Sequence, residues 1–239
     1  MLEVKNVSTF YGKIAALTDV SVHIKKGEIV SLIGANGAGK TTLMNCIMGI
    51  EDYDSGSIKI DPADRIGYVK QQAEFSDVPL YDELLTAFDD VLDLSRQKRA
   101  LESEISNNND TTQADSMMRE YARISDEFER LGGYEYESRI RRVAFGLGFS
   151  EADLKKSSVD FSGGQKTRIC LAKSLLREPD FLFLDEPTNH LDIEMIEWLE
   201  DCLKNYKGGI LIISHDRFFL DKVTNSIIEL IDEKIDIYE

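Results

Sequence analysis

An α/β fold is what this 239-residue chain predicts: a parallel or mixed sheet covered by helices, with an antiparallel edge sheet and an inserted helical subdomain. Three observations lead there. Near-continuous apolar runs at residues 29–33, 181–184 and 210–213 have strand length and no polar face, as strands buried on both sides do. Residues 2–7 and 20–24 instead alternate apolar and polar side chains, the period of a strand with one wet face. From Leu80 to about Phe149 the strand signal stops, and apolar residues recur at helical spacings.

Taken in order, residues 2–7 and 20–24 form the antiparallel edge layer, and Lys25-Lys26-Gly27-Glu28 turns the chain into the first central strand at residues 29–33. A glycine-rich loop follows, and the helical run of residues 43–48 is stopped by Gly49. In the helical stretch, Leu84, Phe88, Val91, Leu94, Leu101 and Ile105 make one apolar seam, and Met117, Tyr121, Ile124, Phe128 and Leu131 make a second. Between the seams lies Ser106-Asn107-Asn108-Asn109-Asp110-Thr111, whose short polar side chains compete for backbone hydrogen bonds and favour a turn. An antiparallel helical hairpin is the simplest object with this pattern. Gly132-Gly133 closes it, and a further amphipathic helix spans residues 136–147. The chain therefore divides into residues 1–79, a first part of the core; 80–156, the helical subdomain; and 157–239, the second part of the core.

The loop after the first central strand reads Gly34-Ala35-Asn36-Gly37-Ala38-Gly39-Lys40-Thr41-Thr42, which satisfies G-x-x-x-x-G-K-[ST] between a strand and a helix. Glycines allow successive backbone N–H groups to converge on phosphate oxygens, and the helix N-terminus adds partial positive charge. Lys40 supplies a mobile cation for the β- and γ-phosphates, and Thr41 a hydroxyl for Mg²⁺. The core is thus predicted to be that of a P-loop NTPase.

Residues 181–184 end in Asp185-Glu186, which delivers two carboxylates to the carboxyl edge of the sheet, where ligands of open α/β sheets bind. Asp185 fits a Mg²⁺ ligand. Because successive strand residues point to opposite sides, Glu186 faces elsewhere and can orient a water for attack on the γ-phosphate. A second anion site is written at Ser162-Gly163-Gly164-Gln165, where Ser162 can cap the helix of residues 166–177 and the glycines expose N–H groups. One nucleotide does not need both.

With Phe161, that tetrapeptide resembles the signature of ABC ATPases, in which the signature of one nucleotide-binding domain closes over ATP held by the phosphate loop of another. The resemblance implies a head-to-tail pair of domains, either two copies or this chain with a missing C-terminal domain. Tyr11 is similar to the aromatic that stacks on adenine, Gln71 to the glutamine that touches Mg²⁺ and the attacking water, and His215 to the switch histidine at the γ-phosphate. From about residue 55 the chain resembles the ABC-F branch, which acts on ribosomes, above all in Leu184-Asp185-Glu186-Pro187-Thr188-Asn189-His190-Leu191-Asp192 and Ser214-His215-Asp216-Arg217-Phe218-Phe219-Leu220-Asp221. The hairpin resembles the arm that such proteins insert there. Val7-Ser8-Thr9-Phe10-Tyr11-Gly12-Lys13-Ile14-Ala15-Ala16-Leu17 and the run Ser31 to Lys40, within residues 1 to about 50, resemble the ATPase subunits of branched-chain amino-acid importers more than ABC-F proteins. The charge changes near the same place: residues 1–60 hold six lysines and six acids, no arginine precedes Arg65, and the remainder carries the whole net charge of −16. A hybrid chain is expected on that ground, with a natural mosaic, an engineered chimera and a divergent single lineage all open. The end at Glu239, close to where an interdomain linker would begin, leads to the expectation of a first domain only.

Composition bounds the partners. With 28 basic against 44 acidic residues, unaided attachment to nucleic acid or anionic membrane is disfavoured, since it depends on basic side chains displacing counterions. The hairpin region is itself at −6 over residues 80–149, so tight phosphate binding by the arm alone is not expected. Cys46, Cys170 and Cys202 form no CxxC pair, and there is neither a signal-like start nor an apolar run long enough to insert in a membrane, which fits a reducing, cytoplasmic setting. Three functions remain: a ribosome-associated ATPase in translation or antibiotic protection, an importer subunit bound to a membrane protein, and a nucleotide-dependent clamp whose turnover only resets it. ATP and Mg²⁺ are the implied ligands of all three.

Overall fold

The computed structural model describes residues 1–69, 75–107, 111–231 and 233–238. The chain runs through β1 (Leu2–Tyr11), β2 (Ile14–Ile24), β3 (Ile29–Gly34), α1 (Lys40–Ile47), β4 (Ser55–Lys59) and β5 (Ile66–Tyr68). Four helices follow: α2 (Leu80–Leu85), α3 (Asp89–Asn107), α4 (Thr111–Arg130) and α5 (Tyr136–Gly146). The last part holds α6 (Gly163–Arg177), β6 (Phe181–Asp185), α7 (Ile193–Lys204), β7 (Gly209–Ile213), α8 (Arg217–Val223), β8 (Ser226–Ile231) and β9 (Lys234–Tyr238). Packing divides these into two compact units, one of residues 1–74, 146–148 and 161–239, the other of residues 75–145 and 149–160.

In the first unit, β1 is the middle strand of a three-stranded antiparallel sheet in the order β2-β1-β4. Its inward residues are Leu2, Val4, Val7 and Thr9, with a skip of one from strict alternation between Val4 and Val7. The skip is a bulge: the pairing slips between Val4 and Val7, and Asn6 takes φ 51° with its amide on the Asp19 carboxylate at 2.5 Å. The second sheet has the order β5-β6-β7-β3-β8-β9, parallel from β5 to β8 with β9 antiparallel at the edge. The three apolar runs read from the sequence are its β3, β6 and β7, and β7 is buried throughout. Leu43, Met44 and Ile47 of α1 share one core cluster with Val4, Val7 and Ile24 of the small sheet and with Val30, Phe181, Phe183 and Leu211 of the large one. The helix after the glycine-rich loop is therefore anchored on apolar surface on both sides. Truncating a fully buried phenylalanine such as Phe183 would cost about 3–5 kcal/mol.

The second unit is helical. α3 and α4 pair as the anticipated hairpin; residues 108–110 of its turn lie outside the described residues. The first apolar seam is not one helix, because a 3₁₀ turn at Thr86–Phe88 divides α2 from α3. The Thr86 hydroxyl donates to the Glu83 carbonyl at 2.8 Å, the local side-chain bond that competes with helix continuation. Along the seams Leu84, Phe88, Val91, Ile124 and Phe128 are buried, whereas Leu94, Leu101 and Ile105 are half-covered. Between the helices, the Lys98 ammonium sits 5.4 Å from the Tyr121 ring centre and 5.6 Å from those of Phe128 and Tyr134, and it donates to the Tyr134 hydroxyl at 3.2 Å. Charge and aromatic faces thus fasten a hairpin whose outer part has little apolar core.

Candidate functional site

The glycine-rich loop leaves β3 at Gly34 and enters α1 at Gly39, both in the first unit. Gly34 has φ 151°, and a Cβ there would stand 2.5 Å from the Leu230 carbonyl oxygen. At Gly39, φ is 98° and a Cβ would stand 2.4 Å from the Ala16 carbonyl oxygen. Only glycine fits at these two points, so the loop is pressed between β2 and β8 while its tip, Ala35, Asn36 and Gly37, stays exposed. Gly37 also has positive φ, and Ala38 N–H donates to Ala35 O at 3.1 Å, closing a turn within the loop. Among the described residues no side chain caps the start of α1, so its first N–H groups are available to an anion.

Lys40 is buried, and its ammonium donates to the carbonyls of Gly34 at 2.8 Å and Ala35 at 3.0 Å. The cation is held by its own loop, where it can exchange carbonyl partners for an anion. Thr41 is exposed beside it and Thr42 half-buried.

Asp185 and Glu186 arrive from β6, which pairs with β7, which in turn pairs with β3. Burial pushes the Asp185 carboxyl above its ordinary value, opposed by the positive charge of Lys40 and then of His215. A cation beside this carboxylate would offset the burial. Glu186 leaves the strand with φ 49°, a left-handed conformation that side chains rarely adopt. Its N–H donates to Ile213 O at 2.8 Å; its carboxylate accepts from the His215 N–H at 3.4 Å and stands 3.6 Å from the His215 imidazole. Lys40, Asp185, Glu186 and His215 are thus gathered at the carboxyl ends of β3, β6 and β7. A cavity of about 770 Å³ opens next to them, lined by Gly34, Ala35, Asn36, His215, Arg217 and Glu229 among others.

Tyr11 ends β1 with 52% of its surface exposed, and its hydroxyl lies 3.3 Å from the Thr42 hydroxyl and donates to the Glu51 carboxylate. Glu51 is a site contact that the sequence reading missed, since nothing local links positions forty residues apart. Gln71 lies outside the described residues.

Ser162 caps α6 in a reciprocal capping box: its hydroxyl accepts from the Gln165 N–H at 3.4 Å, and the Gln165 side chain accepts from the Ser162 N–H at 3.0 Å. The His190 side chain packs close to Gly164; a Cβ there would be 3.0 Å from the imidazole. Among the described residues, neither Ser162, Gly163, Gly164 nor Gln165 bonds to any residue of the phosphate loop. The chain therefore carries two separate helix starts.

Residues 17–189 match the model of the family described as ABC transporter. The chain belongs to the ABC transporter family. Among its relatives are YdiF of Bacillus subtilis (strain 168), 42% identical over 232 residues, covering 96% of this chain and 36% of YdiF, and ABC transporter F family member 5 of Arabidopsis thaliana, 36% identical over 237 residues, covering 95% of this chain and 33% of that protein. This ABC domain thus spans about a third of the length of these relatives. Its fold matches the dimeric post-hydrolysis structure of the ATP-binding cassette MJ0796 bound to ADP and Pi, with TM-score 0.65 and 22% identity over 100% of this chain and 98% of that one. Both relatives align through nearly the whole chain, and the expectation of two ancestries finds no support in them. Among the described residues no helix is long and apolar enough to cross a membrane.

Proposed function

We propose that this ABC domain binds Mg-ATP and hydrolyses it to ADP and phosphate, as an ABC-F type domain acting in the cytoplasm on translation or ribosome protection. The observation that carries the reading is the meeting of Lys40, Asp185, Glu186 and His215 around a glycine-pinned loop at one sheet edge. The loop N–H groups and Lys40 would hold the triphosphate. Thr41 and Asp185, with Gln71, would hold Mg²⁺, whose charge offsets that of the phosphate oxygens when bound. Glu186 orients a water and takes its proton as the water oxygen bonds to the γ-phosphorus and the bond to the ADP oxygen breaks, and His215 braces the γ-phosphate.

Ser162, Gly163, Gly164 and Gln165 serve a second domain. Their helix start is free of the phosphate loop of the same chain, and the cassette of the same fold named above is dimeric with ADP and Pi. The ABC-F relative supports the branch. A net −6 over residues 80–149 leaves the hairpin a weak grip on RNA phosphates, so ribosome contact through it would rest on shape and on protein surface.

The Glu186→Gln variant tests the chemistry. It should bind ATP as the parent does and hydrolyse it at least about a hundredfold more slowly; parent-like turnover would remove Glu186 from the role. Sedimentation of that variant with ribosomes, only when ATP-Mg²⁺ is present, would support the cellular role, and copurification with a membrane subunit would point to transport instead.

A further inference from the structure

We propose that Glu51 is a positioning residue for the nucleobase, fixing the Tyr11 ring relative to the helix that receives the phosphates. The inference rests on the ATP binding proposed above and on the expectation, from the family resemblance, that Tyr11 stacks on adenine, and adds the residue that holds it there.

Tyr11 stands at the end of β1 with half its surface in solvent, so apolar packing does not set the direction of its ring. Its hydroxyl does. The phenol donates to one Glu51 oxygen and lies 3.3 Å from the Thr42 hydroxyl, while the other Glu51 oxygen accepts from the Asn45 amide at 3.0 Å. Thr42 and Asn45 belong to successive turns of α1, the helix that begins at Lys40. Glu51 is itself fastened to that helix by its N–H, which donates to Asn45 O at 3.4 Å. The same segment clamps the strand: Asp54 accepts from Phe10 N–H at 2.9 Å, and Asp54 N–H donates to Ser8 O at 2.9 Å.

An exposed aromatic is thus tied by its far end to the phosphate-loop helix through a carboxylate that bonds to both. The bond to Glu51 also holds the phenolic proton, pushing the Tyr11 pKa up. A ring ordered before the ligand arrives spares the binding step the loss of that freedom. Phosphates and base would then be received by groups on one rigid body, and the carboxylate need not touch the nucleotide at all.

The test compares ATP with tripolyphosphate, which lacks a base, by calorimetric titration of the chain with Mg²⁺. Tyr11→Ala should weaken ATP about tenfold, the scale of one lost stack. Glu51→Ala and Tyr11→Phe, which keeps the ring but not the hydroxyl, should each weaken ATP about three- to fivefold, the scale of freeing one side chain. Tripolyphosphate affinity should be unchanged in all three, and Glu51→Ala should add nothing in the Tyr11→Ala background. If Tyr11→Ala weakens ATP while Glu51→Ala and Tyr11→Phe do not, the tether is refuted and stacking stands. If Glu51→Ala weakens tripolyphosphate as much as ATP, Glu51 acts on the phosphate loop and the proposal is overturned. Parent-like ATP affinity in Tyr11→Ala would instead overturn the stacking reading on which it rests.

Discussion

Glu186 combines a left-handed backbone, φ 49°, with the carboxylate assigned to the water, and the strain can be measured apart from the chemistry. Replacing Glu186 by Ala and by Gly deletes the same side-chain contacts, a 3.4 Å hydrogen bond from the His215 N–H and a 3.6 Å approach to its imidazole. The two variants differ only in the Cβ methyl and the backbone freedom it removes. Alanine at this φ should cost about 1–2 kcal/mol that glycine avoids. Glycine in turn loses about 0.5–1 kcal/mol of extra chain entropy on folding. The difference leaves Glu186→Gly more stable than Glu186→Ala by about 0.5–1 kcal/mol, the reverse of the order at an ordinary strand or helix position. For a chain of this size that corresponds to about 1–4 °C in Tm. Differential scanning calorimetry without nucleotide would read it, with ATP turnover lost in both variants. An alanine variant as stable as the glycine one, or more stable, would refute the claim that this turn stores strain.

Other perturbations have defined outcomes. Lys40→Ala strands the Gly34 and Ala35 carbonyls it now satisfies, so it should lower the stability of the nucleotide-free chain by about 1–2 kcal/mol in urea titration as well as abolish ATP binding in calorimetry. Burial holds the folded Asp185 carboxyl above its ordinary value, so stability falls as pH rises from the ordinary carboxylate range to that raised value and is level beyond it. Asp185→Asn should therefore raise Tm near neutral pH, with the gain vanishing as pH falls below the ordinary carboxylate range, while Mg²⁺-dependent hydrolysis is lost. Lys98→Ala should loosen the α3–α4 hairpin by about 0.5–1 kcal/mol, read as faster amide exchange in those helices with the first unit unaffected.

What could be read from the sequence were features whose cause is local. The phosphate loop needs its glycines within nine residues, β6 and β7 announce themselves as apolar runs, and Ser162 caps the helix that starts beside it. β4, β8 and β9 were missed because each is short or half-exposed, and their pairing with distant strands makes them strands. The break before α3 was missed because Leu84, Phe88 and Val91 keep helical spacing through a 3₁₀ turn. At the site, residue types were legible and their couplings were not. Glu51 on Tyr11, His190 against Gly164 and the left-handed backbone at Glu186 all depend on contacts between segments far apart in the chain or on a dihedral angle that composition does not encode.

The central claim is that a triphosphate on the loop of one copy is completed by the Ser162 helix start of another. Light scattering of the Glu186→Gln variant tests it most directly. With ATP-Mg²⁺ the mass should double from one chain to two, and a further Ser162→Arg change should return it to one. A mass of one chain at nucleotide saturation, with binding verified by calorimetry, would contradict it.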